Sequence, residues 1–162
     1  MGFIRTVVVI RTIVCVLFAS TSLLGEHAMS ADGLITLHSS FGPEETMKRF
    51  EAEVRAKGMT VFSHIDHAAG AAAAGLPLRP TNLLIFGAAK GGTPLMQSVQ
   101  TIGIDLPLKA LVWQDEAGKT FLSYNDPAYI THRHGIGEAA KPVIEAMSGA
   151  LKEMAAKSTT VP

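Results

Sequence analysis

Apolar and polar residues alternate from Gly33 to Ser39, with Leu34, Thr36 and His38 on one side and Ile35 and Leu37 on the other. That period of two predicts a β-strand. Gly42-Pro43-Glu44-Glu45 then opens a helix, because proline suits the first helical position and the acidic pair complements the helix's positive end. Met47, Phe50 and Val54 make its apolar stripe, and Glu45–Arg49, Glu51–Arg55 and Glu53–Lys57 are i,i+4 pairs on the wet side. Gly58 stops it.

Met59 to Asp66 reads as a second strand, and the alanine-rich run Ala68–Ala74 as a short helix or turn that Gly75, Pro77 and Pro80 end. Leu83 to Phe86 is continuously apolar and predicts a buried strand. Thr93-Pro94 predicts another short helix, with Thr93 as its cap and Pro94 in its first turn. Leu108–Gln114 and Thr120–Tyr124, joined across Asp115–Lys119, form a β-hairpin. Pro142 to Met154 is the last helix, with Val143, Met147, Ala150 and Met154 on one face. The order is strand, helix, four strands, helix, with short helical insertions. It predicts an α+β fold, a mainly antiparallel sheet with its helices on one face.

The N-terminus reads as an export signal. Arg5 and Arg11 precede an uncharged apolar run, Ile13 to Leu24, and Ala28-Met29-Ser30 is a small-residue cleavage triplet. The uncharged stretch from Thr12 to Gly25 falls short of the roughly 20 residues of a membrane-spanning helix. The expected organisation is a cleavable signal at 1–30, one domain at 31–157 and a disordered tail at 158–162. The expected location is periplasmic or secreted, with no stable membrane insertion after cleavage. Cys15 is the chain's one cysteine and lies in the signal, so disulfides and thiolate chemistry are excluded from the mature domain. Cleavage also removes Arg5, Arg11 and Glu26, leaving 12 basic and 13 acidic residues of the original 14 each. So near-neutral a surface makes nucleic acid an unfavoured partner.

Several groups could carry chemistry. Asp66 and His67 stand where the second strand ends; Asp66 could cap the following helix or orient His67. His64, His67, His132 and His134 could in principle hold a transition metal, but nothing in their spacing fixes this, and the mature protein is expected to be mostly metal-free. Lys90-Gly91-Gly92-Thr93 before a helix start could cradle an anion, or be an ordinary glycine turn. Lys109 interrupts the apolar run Leu106–Val112 and must reach solvent, a ligand or a carboxylate such as Asp105 or Asp126. Trp113 and Tyr124, taken as facing hairpin positions, could wall a pocket or pack across the strands.

Ile65-Asp66-His67-Ala68-Ala69, Asn82–Gly87, Lys90–Gln97, Asp105–Ala110 and Leu122–Pro127, in this order and spacing, resemble the DUF302 family (TT1751-like domains) across residues 33–135. The resemblance implies a TBP-like topology and no established reaction. Many members resemble Phe-Gly-Asn-Pro where this chain has Phe86-Gly87-Ala88-Ala89, and one branch resembles Pro-Cys-Asn where this chain has Pro107-Leu108-Lys109. The expected function is binding of a small molecule, anions among the candidates, by Asp66, His67, Lys90, Gly91, Gly92, Thr93, Lys109 and Tyr124, with the cofactor unknown. The alternatives are an enzyme using Lys109 or His67 as base or nucleophile, and a self-associating module such as a homodimer. The 68–75 stretch discriminates: a pocket requires it folded inward, an interface requires it outside.

Overall fold

The computed structural model of the chain describes residues 32–161; the expected signal at 1–30, with Cys15, lies outside the described residues. The elements in order are β1 (Leu34–Ser39), α1 (Pro43–Ala56), β2 (Thr60–Asp66), α2 (His67–Ala73), β3 (Thr81–Gly87) and α3 (Ala89–Ser98). A 3-10 turn (Gln100–Ile104), β4 (Leu108–Gln114), β5 (Thr120–Asn125), α4 (Pro127–Arg133), a second 3-10 turn (Glu138–Ala140) and α5 (Lys141–Thr159) follow. The strands form one sheet in the order β1-β5-β4-β3-β2, and every neighbouring pair is antiparallel. The fold is α+β, as the pattern predicts.

Alternation along the strands divides the sheet into two unlike faces. Leu84 and Phe86 of β3, Leu108, Ala110 and Val112 of β4, and Leu122 and Tyr124 of β5 are buried against Met47, Phe50 and Val54 of α1 and Leu151, Met154 and Ala155 of α5. Phe50 meets Phe86 edge-on, with centroids 5.4 Å apart. On the opposite face Trp113 stacks on Phe121 at 4.8 Å, and His38 meets Phe121 edge-on at 5.5 Å. There the Trp113 indole N–H donates to Ser123 Oγ at 2.9 Å, and Ser123 and Thr36 share a hydrogen bond of 2.8 Å.

Tyr124 therefore does not face Trp113. The hairpin register pairs Trp113 with Phe121 and Ala110 with Tyr124, so the two aromatics lie on opposite faces.

Three other expectations are corrected. First, α3 begins at Ala89, with Thr93 and Pro94 inside it. The N–H groups of Gly91 and Gly92 both donate to the Ala88 carbonyl, at 3.0 and 3.1 Å, which draws the glycines into the first turn. Pro94 then falls beyond that turn and denies the Lys90 carbonyl its partner, at positions exposed to water.

Second, α5 continues to Thr159, where the sequence predicts disorder from 158. Leu151, Met154, Ala155, Ser158 and Thr159 form one buried stripe at helical spacing. Ser158 and Thr159 are buried because their hydroxyls donate to the carbonyls of Met154 and Ala155, at 2.6 and 2.9 Å. The Thr159 carbonyl accepts from Ser40 N–H at 2.8 Å, which ties the end of the helix to β1.

Third, Glu53 pairs with Lys157 at 3.7 Å rather than with Lys57, and Lys57 instead pairs with Glu153 at 2.5 Å. α1 and α5 lie side by side, and the contact between helices replaces the local one. Glu45–Arg49 and Glu51–Arg55 form as expected.

Candidate functional site

Asp66 is the cap of α2: its carboxylate accepts the Ala69 N–H at 2.9 Å. That engages it at the start of an exposed helix. With His64 it borders an open groove of about 840 Å3 between α1 and the β2 edge. His67 is the first residue of α2 and exposed. No residue of α2 is buried, so the alanine-rich stretch lies outside.

Lys109 sits half-buried on the face opposite α1 and α5, and its ammonium donates to the backbone carbonyls of Asp105 and Pro107, both at 3.0 Å. The expected carboxylate partner is absent because Asp105's side chain is taken. It accepts from Arg133 at 3.3 Å and lies 2.6 Å from Nε2 of His134. His134 Nδ1 in turn lies 3.4 Å from the Thr101 hydroxyl. This hydroxyl–imidazole–carboxylate chain clasps the first 3-10 turn to the end of α4. Sequence reading missed it, since 29 residues separate Asp105 from His134 and no spacing rule joins them.

Tyr124 is buried on the helix face, and burial, then the nearby Asp126 carboxylate, push its phenol above the ordinary value. It borders a groove of about 890 Å3 between β1 and α5, together with Asp126 and Ser148. Asp126 accepts the Ala128 N–H at 3.0 Å and caps α4.

The eight expected ligand-binding residues are thus not brought together. Asp66 and His67 belong to the β2–α2 edge, Tyr124 to the opposite side of the sheet from Lys109, and Lys90 is exposed on α3. Nor do the histidines converge. His134 is clasped to Asp105, and among the described residues no group of three or more histidines, aspartates, glutamates or cysteines is placed to hold a metal ion.

Gly91, Gly92 and Thr93 do line a cavity, a recess of about 300 Å3 where β3 ends and β4 begins. Its other walls are Met59 and Phe62 from the β2 side, Met96 of α3, Leu106, Pro107 and Leu108 ahead of and within β4, and Met147 of α5. Gly92 is close to one wall: a Cβ added there would meet Leu106 Cδ1 at 3.5 Å, an ordinary contact. The anion cradle is not formed as expected, because the Gly91 and Gly92 N–H groups are spent within the helix. What remains is an almost wholly apolar niche with flexible, polarizable methionine walls, suited to an apolar body of irregular shape.

The sequence model described as "Domain of unknown function DUF302" matches residues 35–154. The chain belongs to the DUF302 family. A solved structure with this fold is a DUF302 protein from Bacillus stearothermophilus, with a TM-score of 0.71 and 20% identity, covering 79% of this chain and 99% of that one. At that identity the likeness speaks to the fold alone. Among curated relatives, "Fluoride-specific ion channel FluC 1" of Brucella suis is 48% identical over 115 residues, which is 71% of this chain and 45% of the relative. A protein of the same name from Brucella abortus matches at the same identity over 43% of its length. The chain therefore spans less than half the length of these relatives. Among the described residues of this DUF302 domain, no helix is long and apolar enough to cross a membrane.

Proposed function

We propose that this is an exported domain that binds a small, largely apolar molecule in the recess between α3 and the β3–β4 end of the sheet. The observation that carries the reading is the recess itself, about 300 Å3 walled by Met59, Phe62, Met96, Leu106, Pro107 and Met147. Binding pockets start at about this size and are mostly apolar. Export is supported by the Arg-flanked apolar run at 13–24 and its small-residue triplet. N-terminal sequencing of secreted protein should find the mature end between Ala28 and Ala31; a chain still beginning at Met1 and sedimenting with membranes removes the export half of the proposal.

Gly92→Leu tests the recess. The added side chain starts at ordinary contact distance from Leu106 and extends the helix with a better helix former, so it should fill the space without unfolding the domain. The fluorescent probe anilinonaphthalene sulfonate, whose aromatic body is apolar and whose sulfonate can stay in water, should bind the wild type and lose most of its affinity for the variant. No binding to the wild type, or equal binding to a folded variant, overturns the proposal.

The relatives' names favour a second reading, in which the domain serves a fluoride channel. Fluoride-19 NMR of the purified domain checks whether it takes up the ion itself; a fluoride line unchanged by protein leaves the channel reading without a direct ion-binding role.

A further inference from the structure

One stretch of the domain is ordered secondary structure yet packs on almost nothing. From Thr60 to Pro80 the chain builds β2, α2 and the loop back to β3, and only Val61, Ala68 and Ala71 are even half-buried. Four of the seven exposed large apolar side chains among the described residues fall here: Phe62 at 58%, Ile65 at 37%, Leu76 at 63% and Leu78 at 50%. β2 is also the end of the sheet, bonded to β3 on one side only. Its free side presents a row of backbone donors and acceptors, which proteins ordinarily blunt with lysine or proline. The strand Thr-Val-Phe-Ser-His-Ile-Asp carries neither. A register shift between Val61 and Ser63 disturbs one half, and Ser63 to Asp66 pairs regularly with β3.

We propose that this edge is where a second copy of the chain docks, β2 running antiparallel to β2 of the partner so that the two sheets join into one. Three features favour a copy of the chain as the occupant. An antiparallel edge is complementary to itself about a two-fold axis, so one strand satisfies both sides of the contact. Between residues 60 and 80 the full charges are one Asp66 and one Arg79, so two such faces do not repel. The area is also adequate. At roughly 200 Å2 for a large exposed apolar side chain, the four named residues leave about 400 Å2 of apolar surface on each copy. In an interface about 57% apolar, that corresponds to roughly 700 Å2 per partner, close to the usual size of a stable contact. The small residues of α2, His67-Ala-Ala-Gly-Ala-Ala-Ala, let the two backbones approach closely beside the joined strands. Phe62 borders the ligand recess as well, so the test leaves it in place.

The experiment is sedimentation equilibrium of the purified chain from about 1 to 100 µM, with Ile65→Lys and Leu76→Asp made singly and together. Both residues are exposed within one copy, so the variants should fold, which circular dichroism confirms. Ile104→Lys, at a 75% exposed apolar residue on another element, is the control. The wild type and control should dimerise, and the double variant should dissociate at least about 100-fold more readily, since each interfacial charge costs about tenfold or more. Hydrogen exchange of β2 amides should slow with concentration in the wild type and the control, and not in the double variant. A wild type that stays monomeric at about 100 µM, including one whose edge is taken by a different protein, overturns the proposal. So does a dimer indifferent to both substitutions. The probe-binding assay on Gly92→Leu reads the recess separately, so either result can fail without the other.

Discussion

Replacing Lys109 with methionine separates a lysine that holds the fold from one that holds a ligand. The side chain keeps its stem volume in methionine and loses three N–H donors. Two of those donors now bond the carbonyls of Asp105 and Pro107, both at 3.0 Å, and so pin the turn that leads into β4. A hydrogen bond to a charged group contributes about 1.5–3 kcal/mol when well shielded. Here the lysine is half-buried and water can replace part of what is lost, so the pair together should account for about 1–2 kcal/mol. In a domain of this size that lowers Tm by roughly 3–8 °C. Urea denaturation should show the midpoint falling with an unchanged slope, the sign of lost stability without a changed unfolded state. Leu106 and Pro107 wall the recess, so probe binding should weaken modestly as the turn loosens. Lys109→Arg should recover part of the stability, since a guanidinium can also donate to two carbonyls. A methionine variant as stable as wild type that fails to retain a small anion would place Lys109 in the site and refute the structural assignment.

Gly33→Ala should be severely destabilising, by about 2 kcal/mol or more, because the glycine's positive φ disfavours any side chain. Its Cβ would also lie 2.0 Å from the Tyr129 ring of α4; thermal unfolding checks this, and a near-neutral result would mean that Tyr129 does not lie against Gly33. Glu153 gives a pH prediction: hydrogen bonds from Lys157 and Lys57, then their charges, hold its carboxyl down at about 2 against an ordinary 4.5. A lowered folded-state pKa contributes stability that is present above about 4.5 and lost as pH falls towards 2. Glu153→Gln should therefore flatten the stability profile in that window, and about 1 M salt should do much the same to wild type, since the group is exposed. An unchanged acid profile in Glu153→Gln would dismiss the network.

Much of the fold was legible because one physical rule dominates each element. Period-two alternation marked β1, Met47, Phe50 and Val54 marked the buried face of α1, and Asp66 capped α2 as its position before an alanine run suggests. Errors arose where local preference met a competing partner. Thr93-Pro94 has the chemistry of a helix start, but the Ala88 carbonyl recruits the two glycines ahead of it. Ser158 and Thr159 have the polarity of a frayed end, yet each spends its hydroxyl on a carbonyl one turn back and becomes buriable. Met59, Met96 and Met147 come from three distant parts of the chain, and no periodicity could show that they wall one recess.

The candidate site gathered residues from two faces of the sheet, for a reason that counting could have exposed. Asp115 N–H bonds the Lys119 carbonyl at 3.0 Å and closes the hairpin so that Gln114 faces Thr120. From that pair every partnership on β4 and β5 follows, even residues opposite even and odd opposite odd, and each strand shows its even residues to one face. Ala110, Val112, Leu122 and Tyr124 therefore share the face that α1 and α5 cover, while Lys109, Leu111, Trp113 and Phe121 share the other. A pocket drawn around both Lys109 and Tyr124 asks two adjacent strands to present opposite faces at once. A five-residue connection forbids that, and a connection of four or six that shifted the pairing by one would have allowed it. The position of the site thus rested on the length of a loop that carries no site residue.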